Sequence, residues 1–311
     1  MPVHKRLYNE AIIRLIISPD GPILIKAGEK GADPTLPDME FVRTYHDGRW
    51  TVYLPGSSLK GVLRAHCERI ARTVGGEQLA CDPLDPRKSC SAKLKQKAQN
   101  GAEAYRQSCF ICQLFGNTSL ASHLRLTDGY PLGEVKTEER NGVAIDRVFG
   151  SVAVGPFNYE VCTEGEFQIT IHVKNFTIAQ LGLLALVLRD LEAGRIGVGF
   201  AKSRGLGRVK AKLDSLVVRY PTSQRQGNAI SLIGTKREVG QNDQILGIGC
   251  FLSDEERQDY GCTVSDWAPL PQGIGYEENE WGELELALDA PEAIKAVFRN
   301  CVSQWREVAK P

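Results

Sequence analysis

The sequence predicts an α+β fold of the ferredoxin-like type, and three observations carry that prediction. An apolar run suited to a buried strand, Ala11 to Ile17, comes first. A strand–turn–helix pattern follows at Trp50 to Thr73. A second strand and amphipathic helix, Phe167 to Val173 and Thr177 to Ala193, lead into a last strand from Arg208 to Arg219. Two helices among mostly antiparallel strands suit a sheet with helices on one face.

In chain order, Ser18 to Asp47 reads as a polar loop rich in Gly, Pro and Asp, of a length that often serves function. Residues 74–117 form a polar, basic insertion with four cysteines. Ser122 to Thr127 alternates as a strand does, and Gly129 to Gly142 reads as a loop. Residues 143–162 carry β-type patches around Gly150 and Gly155-Pro156, which predict a protruding hairpin. In the second helix Ile178, Leu181, Leu184, Leu188 and Leu191 recur at helical spacing, a core stripe. The domain spans 1–220. A polar linker, Pro221 to Asn228, opens a C-terminal extension, 221–311, with a helix near Pro291 to Glu307.

The turn Pro55-Gly56-Ser57-Ser58 before the first helix suggests an anion site. Ser57 or Ser58 can cap the helix, and free N–H groups with the helix dipole favour negative charge. Lys60 and Arg64, one turn apart, add cations. Gly56 and Gly61 have the P-loop spacing, but Leu59-Lys60 precedes Gly61 and Val62-Leu63 follows it, so an ATPase is excluded. A second Gly-rich segment, Gly197 to Arg208, holds Lys202, Ser203 and Arg204 where they can meet phosphates.

The 311 residues carry no net charge, yet the distribution is uneven. Five Lys or Arg and no acid lie between Phe200 and Leu213, and twelve Asp or Glu face one Arg between Ser253 and Glu292. No apolar run approaches the ~20 residues of a membrane helix, and the N-terminus lacks a signal-peptide core. A soluble cytoplasmic protein is expected, with no membrane partner.

Cys81, Cys90, Cys109 and Cys112 have the spacing of a closed four-thiolate site, which points to structural Zn2+. His66 and Cys67 are substitute ligands. A redox CxxC would leave two cysteines unexplained. In the long loop, Asp33, Asp38, Glu40 and Asp47 are carboxylates that could orient a nucleophile or hold a divalent cation. The residues alone do not choose among them.

Four segments in order resemble the RAMP superfamily of CRISPR proteins: Pro55 to Arg64, Cys109 to Gly116, Arg140 to Arg147 and Gly197 to Arg208. The likeness is strongest to the Cas-seven-type backbone subunit of type III effector complexes, the type III-D-like branch especially. It covers about residues 7–219. It implies an RRM-like palm, a thumb hairpin at 143–162, and a zinc-bearing insertion at 74–117. It implies that Arg43, Ser57, Ser58, Lys60, Arg64, Arg140, Asn141, Arg147, Lys202, Ser203 and Arg204 contact RNA. It places Asp38 where family members that cut target RNA carry their aspartate, with Mg2+ or another divalent cation as a cofactor for cleavage. The implied partners are guide RNA, target RNA and other effector-complex subunits, including copies of related backbone subunits. Two alternatives stay open. One is an RNA-guided endoribonuclease subunit; the other is a non-catalytic guide-binding scaffold. A guide-processing nuclease lacks a convincingly placed His among His46, His66, His123 and His172.

Overall fold

The computed structural model describes residues 5–28, 37–85, 87–97, 100–235 and 237–309. Strand β1 is Glu10–Pro19. A short hairpin follows, β2 Arg43–His46 and β3 Arg49–Val52, then helix α1, Gly56–Leu79. Three short helices fill the insertion: α2 Cys90–Lys97, α3 Gly101–Gln107 and α4 Phe110–Phe115. Strands β4 Leu124–Leu126 and β5 Tyr130–Pro131 come next, then a long hairpin of β6 Lys136–Ile145 and β7 Val152–Glu164. Strand β8 Phe167–Lys174, helix α5 Ile178–Glu192 and strand β9 Val209–Tyr220 follow. The C-terminal segment adds β10 Ser223–Gln226, β11 Ala229–Leu232, β12 Glu238–Gln241, β13 Gln244–Leu246, α6 Ile248–Phe251, α7 Asp254–Tyr260, β14 Trp267–Pro269, β15 Glu277–Glu278, β16 Leu284–Leu288 and α8 Pro291–Val308.

The main sheet has the order β15-β16-β9-β1-β8-β4, with β5 also on β8, and each pairing is antiparallel. Strand alternation puts Ala11, Ile13, Leu15 and Ile17 on one buried face, matched by Phe167, Ile169, Ile171 and Val173 across the ladder. Helix α1 contributes Leu59, Leu63, Cys67 and Ala71 at four-residue spacing to the same core. Helix α5 starts with a capping box, Thr177 with Gln180, and buries residues on nearly every side. It is overlaid by α8, so closely that a Cβ on Gly182 would meet the Cys301 carbonyl oxygen at 2.3 Å. Strand β16 pairs with β9, so residues of the C-terminal extension continue the sheet. The Tyr220 and Tyr276 hydroxyls, 2.7 Å apart in the interior, tie the two parts.

Three boundaries differ from expectation. The stretch 129–142, expected as a loop, contains β5 and the first half of β6. The hairpin therefore runs from Lys136 to Glu164 rather than 143–162. Two exposed faces give its strands no apolar alternation to read. The predicted loop from Ser18 to Asp47 contains β2 and bridges at Ile23 and Lys26. The insertion is also less bare than its composition suggests. Tyr105, Ile111, Leu114 and Phe115 are buried, and Phe110 packs against Trp305 with ring centroids 5.3 Å apart. Helix α1 does break where expected: Gly75 and Gly76 leave helical geometry, Gly76 at φ +57°. No helix among the described residues is long and apolar enough to cross a membrane.

Candidate functional site

The loop before β2 is laid against the base of the long hairpin. Met39 N donates to the Asn158 carbonyl at 3.2 Å, and Glu160 N donates to the Met39 carbonyl at 2.9 Å. Asp38, exposed, is fixed by Asn158 N, which donates to its Oδ2 at 2.8 Å. Behind it, Arg43 forks onto both carboxylate oxygens of buried Glu160, with Nη1 to Oε2 at 2.6 Å. Phe41 N donates to the same Oε2 at 3.1 Å. That hydrogen bonding holds the Arg43 guanidinium above its ordinary pKa. Burial favours neutral Glu160, but the bonds from Arg43 and Phe41 outweigh it and keep the carboxyl below its ordinary 4.5. Arg43, an expected RNA contact, thus serves as a clasp between loop and hairpin.

The clasp gives a testable pH dependence. The Glu160 contribution is present above its ordinary pKa and is lost as pH falls through the depressed folded value. Glu160→Gln removes the charge and should weaken protection of β7 amides by about 1–3 kcal/mol at neutral pH. Hydrogen exchange measures this; unchanged protection would show that the clasp does not hold the hairpin.

Met39, the residue after Asp38, lines a pocket that joins three separate segments. Met39 from the loop, Val143, Phe157 and Tyr159 from the hairpin, and Phe200 and Arg204 from the Gly-rich turn are among the residues lining about 190 Å³. The Arg204 guanidinium lies 5.2 Å from the Phe200 ring centroid. Lys202, Ser203 and Arg204 form one exposed 3-10 turn. Its approach depends on Gly199, at φ +84°, where a Cβ would sit 2.2 Å from the Leu24 carbonyl oxygen. Arg140, Asn141 and Arg147 lie on the hairpin, Arg147 exposed at its tip and Arg140 3.3 Å from Glu138.

The start of α1 departs from expectation. Neither Ser57 nor Ser58 caps it: Pro55 is the N-cap residue, without a side-chain bond. The Asp128 carboxylate takes the Gly56 N–H at 2.8 Å, and so already supplies one anion at this helix end. Ser57 remains exposed. Lys60 turns inward, its Nζ 2.7 Å from Ser122 Oγ and 2.9 Å from the Leu124 carbonyl oxygen. Burial, and then the charge of Arg64, push its ammonium down. Arg64 donates to Glu68 at 2.9 Å, to the Gly116 carbonyl at 3.0 Å and to Cys112 Sγ at 3.4 Å.

Cys112 belongs to a buried cluster with Cys81, Cys90 and Cys109, whose sulfurs all lie within 4.8 Å of one another. All four are free thiols. Cys109 Sγ caps α4 by accepting from Cys112 N at 3.4 Å, and Cys90 Sγ accepts from Cys109 N at 3.2 Å. Hydrogen bonds from Cys109, then Cys112, push Cys90 down to about 7 and Cys81 further. The same mutual bonds push Cys109 and Cys112 up; it is the closeness of four buried sulfurs that fits them to hold a metal ion. A tetrahedral Zn–S distance of ~2.3 Å would place sulfurs about 3.8 Å apart; Cys81 and Cys112 stand at 3.7 Å. Among the described residues, this is the group of three or more His, Cys, Asp or Glu close enough to share an ion. His66 and Cys67, the substitute ligands, stay outside it: His66 pairs with Asp190 at 2.9 Å, and Cys67 is buried with its thiol pushed up by desolvation.

The structure therefore brings Met39 and Arg204 to one pocket against the hairpin, bonds Asp38 to the hairpin at Asn158, leaves Lys202 and Ser203 exposed on the turn that carries Arg204, and commits Arg43, Lys60 and Arg64 to internal partners. Asp33 lies outside the described residues. Sequence reasoning missed Glu160 and Asp128, whose partners are more than seventy positions away in the chain. A protein-family model described as the RAMP superfamily matches residues 17–210. No curated protein matches the chain.

Proposed function

The chain belongs to the RAMP superfamily, and from that premise we propose that it is a type III effector backbone subunit that binds guide RNA and cleaves complementary target RNA. Membership is consistent with a CRISPR-associated RNA-binding subunit. The observation that carries the finer reading is the pocket walled by the hairpin, the loop residue Met39 and the basic turn. Its aromatic and guanidinium walls suit an unstacked base, and the exposed carboxylate of Asp38 is one residue along the chain from Met39.

The proposed palm is ferredoxin-like. Strand order β9-β1-β8-β4, with α1 after β1 and α5 after β8, is the arrangement of a βαββαβ unit. The hairpin of β6 and β7 is the proposed thumb. Lys202, Ser203 and Arg204 are proposed to bind guide phosphates, as are Ser57 and Ser58 at the start of α1. Asp38 would orient the 2′-OH of a splayed nucleotide toward the adjacent phosphate. Asp38 would be the residue to hold a divalent cation such as Mg2+, with RNA and water supplying further oxygens; among the described residues it is in no cluster of His, Cys, Asp or Glu close enough to share an ion. The four cysteines are proposed to hold structural Zn2+, with no part in cleavage. Guide RNA, target RNA and further effector subunits are the proposed partners.

Binding is tested by measuring RNA affinity against salt. Lys202→Ala and Arg204→Ala should each reduce the slope of log affinity on log salt by about one and leave sequence preference unchanged. An unchanged slope in both would remove the turn from the RNA surface. A guide-binding scaffold with no cutting of its own is the second reading, kept because Asp38 already has a structural bond to Asn158.

A further inference from the structure

A groove of about 460 Å³ lies between α5 and α8, with Leu213 of β9 also in its lining. Leu186, Phe298 and Val302 give it an apolar floor; Arg189, Arg299 and Arg306 stand along it. The one acid in its lining, Glu192, is neutralised by Lys295 Nζ at 2.9 Å. Among the described residues, Arg299 and Arg306 enter no ion pair, and both are exposed.

A second surface has the opposite chemistry. Between Pro271 and Ile294 there are seven Asp or Glu and no Lys, Arg or His. Within that stretch the turn between β15 and β16 holds Trp281 out at 81% exposure. The turn is rigid. Asn279 Oδ1 accepts from Trp281 N and Glu283 N, both at 3.0 Å, and Asn279 N donates to the Glu283 carbonyl at 2.9 Å. Exposed Glu277, Glu278 and Glu280 flank the indole. The backbone of the turn is thus ordered before docking, so presenting a large aromatic side chain on it costs little further backbone entropy, which suits an interface anchor.

We propose that the groove between α5 and α8 receives the Glu277–Glu283 turn of a second copy of this chain. The indole covers the apolar floor beside the free guanidiniums, a contact favoured by dispersion and by cation–π attraction. The flanking carboxylates pair with Arg299 and Arg306. Because turn and groove are different patches, the contact is head-to-tail, and a joined pair keeps one free turn and one free groove. One turn buries little area, so the affinity is micromolar or weaker.

Sedimentation of nuclease-treated full-length protein, from ~1 to ~200 µM, reads this out. Wild type should self-associate, less at high salt. Trp281→Ala and the double variant Arg299→Glu/Arg306→Glu should each weaken association about tenfold or more. An equimolar mixture of the two should recover a heterodimer, since one supplies an intact groove and the other an intact turn. A wild type that stays monomeric throughout overturns the proposal. So does Trp281→Ala associating as wild type does, or a mixture that stays monomeric. If the arginine variant loses RNA affinity and Trp281→Ala does not affect association, the groove is an RNA surface instead.

Discussion

Asp38→Ala, in an assembled and guide-loaded complex, should lower cleavage of complementary RNA by about 10²–10⁴-fold while guide binding is retained. The range is that of removing one positioned proton acceptor or cation ligand from a reaction centre. The carboxylate is exposed, and the next residue, Met39, lines a pocket built from loop, hairpin and basic turn. The same side chain also accepts from Asn158 N at 2.8 Å, so alanine removes two things at once. Asp38→Asn separates them. Its amide oxygen can still accept from Asn158 N, but it carries no charge and makes a poor base. Loss of cleavage in both variants assigns the chemistry to the carboxylate. Loss in Ala with activity in Asn reduces Asp38 to an anchor for the hairpin. Full activity in both variants would leave the chain a guide-binding scaffold, with cutting supplied by another subunit.

How much of this was legible in the sequence follows from the range of the interactions concerned. Strands β1 and β8 and helix α5 announce themselves because their periodicity is local: every second or every third to fourth residue is apolar. The cysteine cluster is legible because Cys109 and Cys112 lie on one turn of chain, and the chemistry of four thiols is specific. The first half of β6 is not legible, since Lys136 to Arg140 is polar on both faces and reads as loop. The clasp of Arg43 on Glu160 and the cap of Asp128 on Gly56 are invisible for another reason. They join residues brought together by the fold alone, and an arginine near a proposed RNA site reads as a phosphate ligand until its partner is seen. Lys60 and Arg64 likewise have partners that spacing does not show. Helical spacing places them on one face correctly, but that face looks toward β4 and the insertion.

That inward face makes the cysteine cluster more than a local staple, and metal removal is the second large effect. Elemental analysis should find about one zinc per chain, absent in Cys109→Ser. Four buried thiols without an ion lose the bonds that hold segments 81–90 and 109–112 together, and structural zinc sites are worth ~10 kcal/mol or more in small domains. Here the loss is capped by the stability of the insertion itself. A drop of about 3 kcal/mol would lower Tm by roughly 5 °C for a chain of 311 residues, at ~2.1 cal/mol/K of unfolding entropy per residue. The consequence travels, because Arg64 bridges Cys112 Sγ and the Gly116 carbonyl from the third turn of α1. Stripping the metal should therefore increase hydrogen exchange in α1 around Arg64 as well as in α4, and added zinc should reverse both. Arg64→Ala tests the bridge from the other side: deleting a group that steadies a ligand sulfur should weaken metal affinity about 10–100-fold. Exchange in α1 that ignores the metal, or an Arg64→Ala protein that binds zinc as tightly as wild type, would confine the cluster to holding its own insertion. A purified protein without metal and with unchanged stability would remove the zinc assignment altogether.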